Sequence, residues 1–126
     1  MNKIQLAVNG SLMRGLALNG NLIQAGAVFV KEDQTSPNYR LWSIRDTYPA
    51  MLRDETEGVK ISLEIWELSP EGLLDVVEKE PPGLCLGKIE LLDETWIFGV
   101  LGEPYLCDGK KEITRWGGWR NYCCSK

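Results

Sequence analysis

Residues 59–83 read VKISLEIWELSPEGLLDVVEKEPPG, and within this run the spacing of apolar residues changes from alternation to a helical repeat at one point. Only a strand that passes directly into a helix satisfies both halves. Val59, Ile61, Leu63 and Ile65 fall on one face, continued by Glu67, while Lys60, Ser62, Glu64, Trp66 and Leu68 fall on the other. Trp66 and Leu68 give the second face apolar bulk, so the strand is expected to be covered on both sides. Ser69-Pro70-Glu71 supplies a capping hydroxyl, a proline suited to the first helical turn and a carboxylate at the positive end of the dipole. A helix from Pro70 to about Lys79 follows, stopped by Pro81-Pro82-Gly83. On it Leu73, Leu74, Val76 and Val77 make an apolar stripe, Glu71, Asp75 and Lys79 face away, and Glu78 lies at the boundary beside Leu74.

The rest of the chain supplies mostly strands. Ile4 to Val8 is a short apolar run that ends in the turn pair Asn9-Gly10. The segment LALNGNLIQAG reads as a short helix stopped by Gly26, followed by a strand from Ala27 to Lys31 and a polar connection, KEDQTSPN. Tyr39 to Ile44 alternates as a third strand, and RDTYPAMLRDETEG after it, interrupted by Pro49, reads as an irregular connection. Lys88 to Leu92 and Thr95 to Leu101 are expected to form a hairpin turning at Asp93-Glu94. Many strands with two short helices predict an α+β fold, a small mixed β-barrel or a strongly bent mixed sheet, formed by residues 1–126 as a single domain.

Composition narrows the function. A chain of 126 residues with a net charge of −4 and no long basic run offers nothing broad to a phosphate backbone, which argues against a nucleic-acid partner. The N-terminus matches neither a signal peptide nor a membrane span, so a cytoplasmic location is expected. Cys85, Cys107, Cys123 and Cys124 lack zinc-site spacing and are expected to be free thiols, with no metal and no cofactor. The chain has no histidine, so acid/base chemistry must use a carboxylate, Lys, Tyr, Cys or backbone amides.

Residues 8–19, VNGSLMRGLALN, are the first candidate for such chemistry. A glycine and a small hydroxyl residue at a strand end can leave backbone N–H groups aimed at one spot, where a carboxylate or developing oxyanion would sit; the same residues also make an ordinary turn. Tyr39 and Arg40 could orient a carboxylate, or could pack and pair with a surface acid. The block Trp116-Gly117-Gly118-Trp119-Arg120 suits an anchor for the tail, against its own sheet or across a homodimer.

The loop resembles that of the gamma-glutamylcyclotransferase-like superfamily, whose usual form is Tyr-Gly-Ser/Thr-Leu followed by Arg-Gly and Asn. Gly10, Ser11, Leu12, Arg14 and Gly15 match, while Asn9 replaces the tyrosine. Leu74-Asp75 and Glu78 fall at the positions of a Leu-Asp pair and a general acid/base glutamate. Through GSLMRGLALN, TSPNYRLWSI, EIWELSPEG, PPGLCLGKIEL and ITRWGGWRNY the chain is more closely similar to the C-terminal domain of allophanate hydrolases and to free-standing proteins related to it.

The resemblance implies a stand-alone domain, since no amidase segment precedes these blocks. Its site would hold a small carboxylate or amide compound on Gly10, Ser11 and Leu12 with Tyr39 and Arg40, and Glu78 would act as base. The chemistry implied is cyclotransfer of a gamma-glutamyl group or decarboxylation of a urea-derived carboxylate. In the allophanate hydrolases a loop histidine is implicated, and Leu12 stands in its place. That replacement favours the alternative, a non-catalytic ligand-sensing or assembly module that dimerises or docks on an amidase partner.

Overall fold

The computed structural model describes residues 2–126. In chain order the elements are β1 (Ile4–Val8), α1 (Asn19–Gln24), β2 (Val28–Gln34), β3 (Tyr39–Ile44), β4 (Tyr48–Arg53), β5 (Ser62–Leu68), α2 (Pro70–Glu78), β6 (Leu84–Glu90), β7 (Trp96–Gly102), α3 (Pro104–Cys107), β8 (Lys111–Glu112), a 3₁₀ turn (Thr114–Trp116) and α4 (Trp119–Cys124). A five-stranded sheet has the order β2-β5-β1-β7-β6, and a three-stranded sheet the order β4-β3-β8. β1 runs antiparallel to β5 and parallel to β7, so the larger sheet is mixed.

The strand-to-helix switch falls at the expected point. β5 lies inside its sheet with Leu63, Ile65, Trp66 and Leu68 all buried. The Ser69 hydroxyl accepts a hydrogen bond from the Gly72 N–H at 3.0 Å, capping α2. Leu73, Val76 and Val77 join the core with Leu6, Trp66 and Leu68, whereas Leu74 is 63% exposed and does not belong to the buried stripe. Among the described residues no helix is long and apolar enough to cross a membrane.

Neither sheet closes, which corrects the expectation of a barrel. β2 and β6 are the edges of the larger sheet and meet only beyond their ends, at the single bridge Thr35–Leu91. Pro37, which has no N–H to extend that pairing, follows two residues after Thr35 as the chain turns toward β3. β2 also runs on to Gln34, through residues that read as a loop, because its partner β5 continues to Ser62.

β4 is the other departure. The segment read as irregular pairs with β3 from Tyr48 to Arg53, and Pro49 is accommodated on an edge strand. The turn uses Arg45 and Asp46 at φ of 54° and 56°, without the glycine that usually marks such a turn. Its support comes from Ser43 beside it and from Tyr122 in the tail: the two hydroxyls each donate to Asp46 Oδ1 at 2.6 Å, and hydrogen bonds from these two hydroxyls hold the Asp46 carboxyl below its usual range.

The tail packs on its own chain. Trp119 and Tyr122 are buried, Trp116 meets Tyr122 edge-on at 5.1 Å, and the Ser62 N–H donates to the Gly117 carbonyl at 2.8 Å. All four cysteines are free; Cys107 is buried, and burial pushes its thiol up to about 11.

Candidate functional site

The residues from Asn9 to Met13 are all buried, although they belong to no strand or helix. Their carbonyls are taken up locally. Met13 N–H donates to Gly10 O at 3.0 Å, Leu18 N–H to Ser11 O at 2.9 Å, and the Asn19 side-chain amide to Leu12 O at 2.8 Å. In a trans peptide the N–H points opposite the preceding C=O, so fixing the Gly10 and Ser11 carbonyls turns the Ser11 and Leu12 N–H groups the other way. Among the described residues the N–H groups of Gly10, Ser11 and Leu12 meet no acceptor. Buried backbone donors are rarely left unpaired, so three in succession single this loop out as a candidate site.

These amides border a small pocket of about 20 Å³, lined by Gly10, Ser11, Leu12, Tyr48, Pro49 and Glu80 among others. That volume holds a water-sized group, so a carboxylate would enter end on. Gly10 is required by close approach: a Cβ there would lie 2.4 Å from Pro49 Cδ. Asn9 is also buried, and its side-chain amide donates to Val100 O at 3.0 Å, tying the start of the loop to β7.

The carboxylate in this pocket is Glu80. Glu78 is exposed on the far side of α2 and is not among the pocket-lining residues. The reason is helical phase. Glu80 stands at i+7 from Leu73 and i+4 from Val76, in line with the buried stripe, whereas Glu78 stands at i+4 from the exposed Leu74. Burial alone pushes the Glu80 carboxyl up to about 7, with no charged partner contributing. An acid in register with an apolar stripe was the signal that could have singled it out.

Tyr39 and Arg40 do not join the loop. The buried Tyr39 hydroxyl accepts from Glu90 N–H at 2.9 Å and from Arg53 at 3.2 Å. Arg40 pairs with Glu112 at 2.7 Å and with Asp54 at 3.0 Å, and its bond to Glu112 holds that carboxyl below its usual range. Neither residue lines the loop pocket. Leu12 does, contributing a buried apolar side chain.

Glu64 is the buried acid whose position on a strand disguised it. Only 2% exposed, it takes four donors: Arg14 N–H at 3.0 Å and Trp66 Nε1 at 3.1 Å on Oε1, and Arg14 Nε at 3.1 Å and Arg120 Nη2 at 3.2 Å on Oε2. It borders a wider cleft of about 370 Å³ that also includes Glu32, Asp33, Ser62, Trp119 and Arg120. This cleft does not include Gly10, Ser11 or Leu12.

Fold and pocket together define an α+β protein with a buried, amide-lined glycine loop facing one desolvated carboxyl. The model of the allophanate hydrolase C-terminal domain matches residues 4–124, and the chain belongs to that family. It is 30% identical over 128 residues to the urea amidolyase of Lachancea kluyveri, covering 96% of this chain but 7% of that protein. Among solved structures, a uropathogenic E. coli-specific protein matches with a TM-score of 0.96 at 46% identity, over 100% of this chain and 99% of the other. The allophanate hydrolase of Kluyveromyces lactis matches with a TM-score of 0.93 at 26% identity, over 99% of this chain and 22% of that one. An aig2-like protein from Mus musculus, at 16% identity and a TM-score of 0.67 over 84% of this chain and 83% of that one, shares the fold.

Proposed function

We propose that the 126 residues act as one domain that binds a small carboxylate or amide compound at the Gly10-Ser11-Leu12 loop, with Glu80, rather than Glu78, as acid/base group. The observation that carries this reading is the row of three unpaired amides beside a carboxyl whose burial leaves it titrating near neutral pH. In a gamma-glutamyl compound the free amine would attack the side-chain carbonyl. Ionised Glu80 would take the proton from that amine and return it to the departing amine, while the loop amides stabilise the oxyanion formed between the two steps. A urea-derived carboxylate is the second substrate class, suggested by the urea amidolyase and allophanate hydrolase relatives.

Because those relatives are much longer than this chain, an amidase is the partner proposed for it, in the reducing cytoplasm suited to four free thiols. A non-catalytic sensor or assembly module is the second reading, favoured by Leu12, which offers the site neither a proton nor a charge. With Trp119 buried against its own chain and Trp116 packed on Tyr122, the tail lends a homodimer less support than its composition alone.

A thermal-shift screen with small carboxylates, gamma-glutamyl amides and urea derivatives tests the binding claim, since a ligand selective for the native state raises Tm. A hit whose shift is abolished by Gly10→Val supports the loop as the site, and one that survives Gly10→Val contradicts it. Turnover of that hit abolished by Glu80→Gln supports catalysis; bound ligand without turnover favours the sensor.

A further inference from the structure

Arg120 lies 106 residues from Arg14 in the chain, yet its Nη2 donates to the Arg14 carbonyl at 3.1 Å and to Glu64 Oε2 at 3.2 Å. Glu64 in turn receives Arg14 through both its backbone N–H and its Nε. A carboxylate has roughly four lone-pair directions, and this one has four donors, so the arrangement admits little freedom. Arg14 is further held with its guanidinium 3.7 Å from the Phe29 ring centre and paired with Glu32 at 2.7 Å. The segment from Gly10 to Arg14 is therefore fixed at its far end by a charge on β5 and by a side chain from α4.

The Gly-Gly pivot brings α4 within reach. Gly117 adopts φ of 71°, and a Cβ on Gly118 would come 3.2 Å from Ser62 Cβ, so the tail lies directly against β5 two residues before Glu64. Trp119 and Tyr122 bury the same segment into the core, which leaves Arg120 projecting along β5. The block WGGWR thus does more than anchor the tail.

We infer that Arg120 and Glu64 are positioning residues for the glycine loop: α4 acts as a clamp that holds Arg14, and through it the unpaired amides of Gly10, Ser11 and Leu12, in the geometry that receives a carboxylate. The inference rests on the reading of that loop as the binding site. Neither residue lines the loop pocket, so each acts through Arg14 and not on the ligand.

The test is amide hydrogen exchange by NMR on the full chain, without ligand, in the wild type, Arg120→Gln and Arg120→Lys. The reporters are the Arg14 N–H, held by Glu64, and the Leu18 N–H, held by Ser11 O; the control is the Leu91 N–H, held by Thr95 O in the β6–β7 turn. The expected result is at least a tenfold acceleration at Arg14 and Leu18 in Arg120→Gln, unchanged exchange at Leu91, and recovery of at least half the lost protection in Arg120→Lys, which retains a cation and a donor. Unaltered exchange at Arg14, or equal acceleration at Leu91, overturns the inference. The second arm is the thermal shift caused by the carboxylate that stabilises the wild type most: it should fall in Arg120→Gln and return in Arg120→Lys. A loosened loop with an undiminished shift also overturns the inference. No shift from any carboxylate in the wild type overturns the reading of the loop as the site, and the clamp is then judged by exchange alone.

Discussion

Glu80 and Glu78 stand two residues apart at the end of α2 and face opposite environments, one toward the amide-lined loop and the other toward solvent. Glu78 is the last residue of α2 and Glu80 lies two residues beyond it, where its N–H donates to Val77 O at 3.1 Å, so the two side chains leave the helix end in different directions. The choice of Glu80 as the proposed acid/base group rests on its continuing the stripe of Leu73 and Val76.

Glu80→Gln should therefore change the dependence of stability on pH. The native carboxyl titrates near about 7 against an ordinary value of 4.5, so between these values the native state keeps a proton that the unfolded state releases. The stabilisation this gives is fully present below 4.5 and is lost as pH rises through about 7. Glu80→Gln should equal the wild type in stability at pH ~4 and exceed it by about 1–2 kcal/mol at pH ~8, a figure reduced because the carboxyl keeps contact with solvent. Urea denaturation at the two pH values checks this, and Glu78→Gln should track the wild type at both.

Gly10→Ala places a methyl carbon 2.4 Å from the Pro49 ring, whose closure prevents it from swinging aside. The substitution should cost about 1–3 kcal/mol and loosen the contact between the loop and β4. Gly20, where a Cβ would meet nothing within 4 Å, is the control for glycine replacement as such. Thermal unfolding of the two variants separates the cases.

Glu64→Gln removes the charge that Arg14, Trp66 and Arg120 share and turns an amide N–H₂ toward donors. The expected loss is about 2–4 kcal/mol, since a buried network loses its acceptor while its donors remain. A loss under about 0.5 kcal/mol, the level of an ordinary surface substitution, would contradict the network's role.

Ser69→Ala removes the N-cap of α2 and should cost about 1 kcal/mol. Because Glu80 follows directly on the end of this helix, ligand-dependent stabilisation should weaken as well, whereas Ser125→Ala, at the C-terminal end of the chain, should leave it unchanged.

Local rules made much of this molecule legible in its sequence. The switch at Ser69-Pro70, the turn at Asn9-Gly10 and the boundaries of β1 and β3 follow from periodicity and turn chemistry, which act over a few residues. What escaped was decided by residues far apart in the chain. β4 was hidden because its turn relies on Arg45 and Asp46 in left-handed conformations, held in part by Tyr122 from the tail. The larger sheet remains open because β2 and β6 share one bridge, which the pattern of neither strand reveals. Of the candidate site residues, Gly10, Ser11 and Leu12 line one pocket, whereas Tyr39 and Arg40 found partners in Glu90, Asp54 and Glu112. Glu64 was not singled out in the sequence because Arg14 and Arg120, which make its burial tolerable, are 50 and 56 residues away.

The most direct test of the site is a titration of the ¹⁵N-labelled chain with a small dicarboxylate such as malonate, followed by amide NMR. The account predicts that the Gly10, Ser11 and Leu12 amides move together and saturate, and that Glu80→Gln alters how the response depends on pH. Saturable shifts centred on Ser62, Trp119 and Arg120 in the wider cleft, with the three loop amides unmoved, would contradict it.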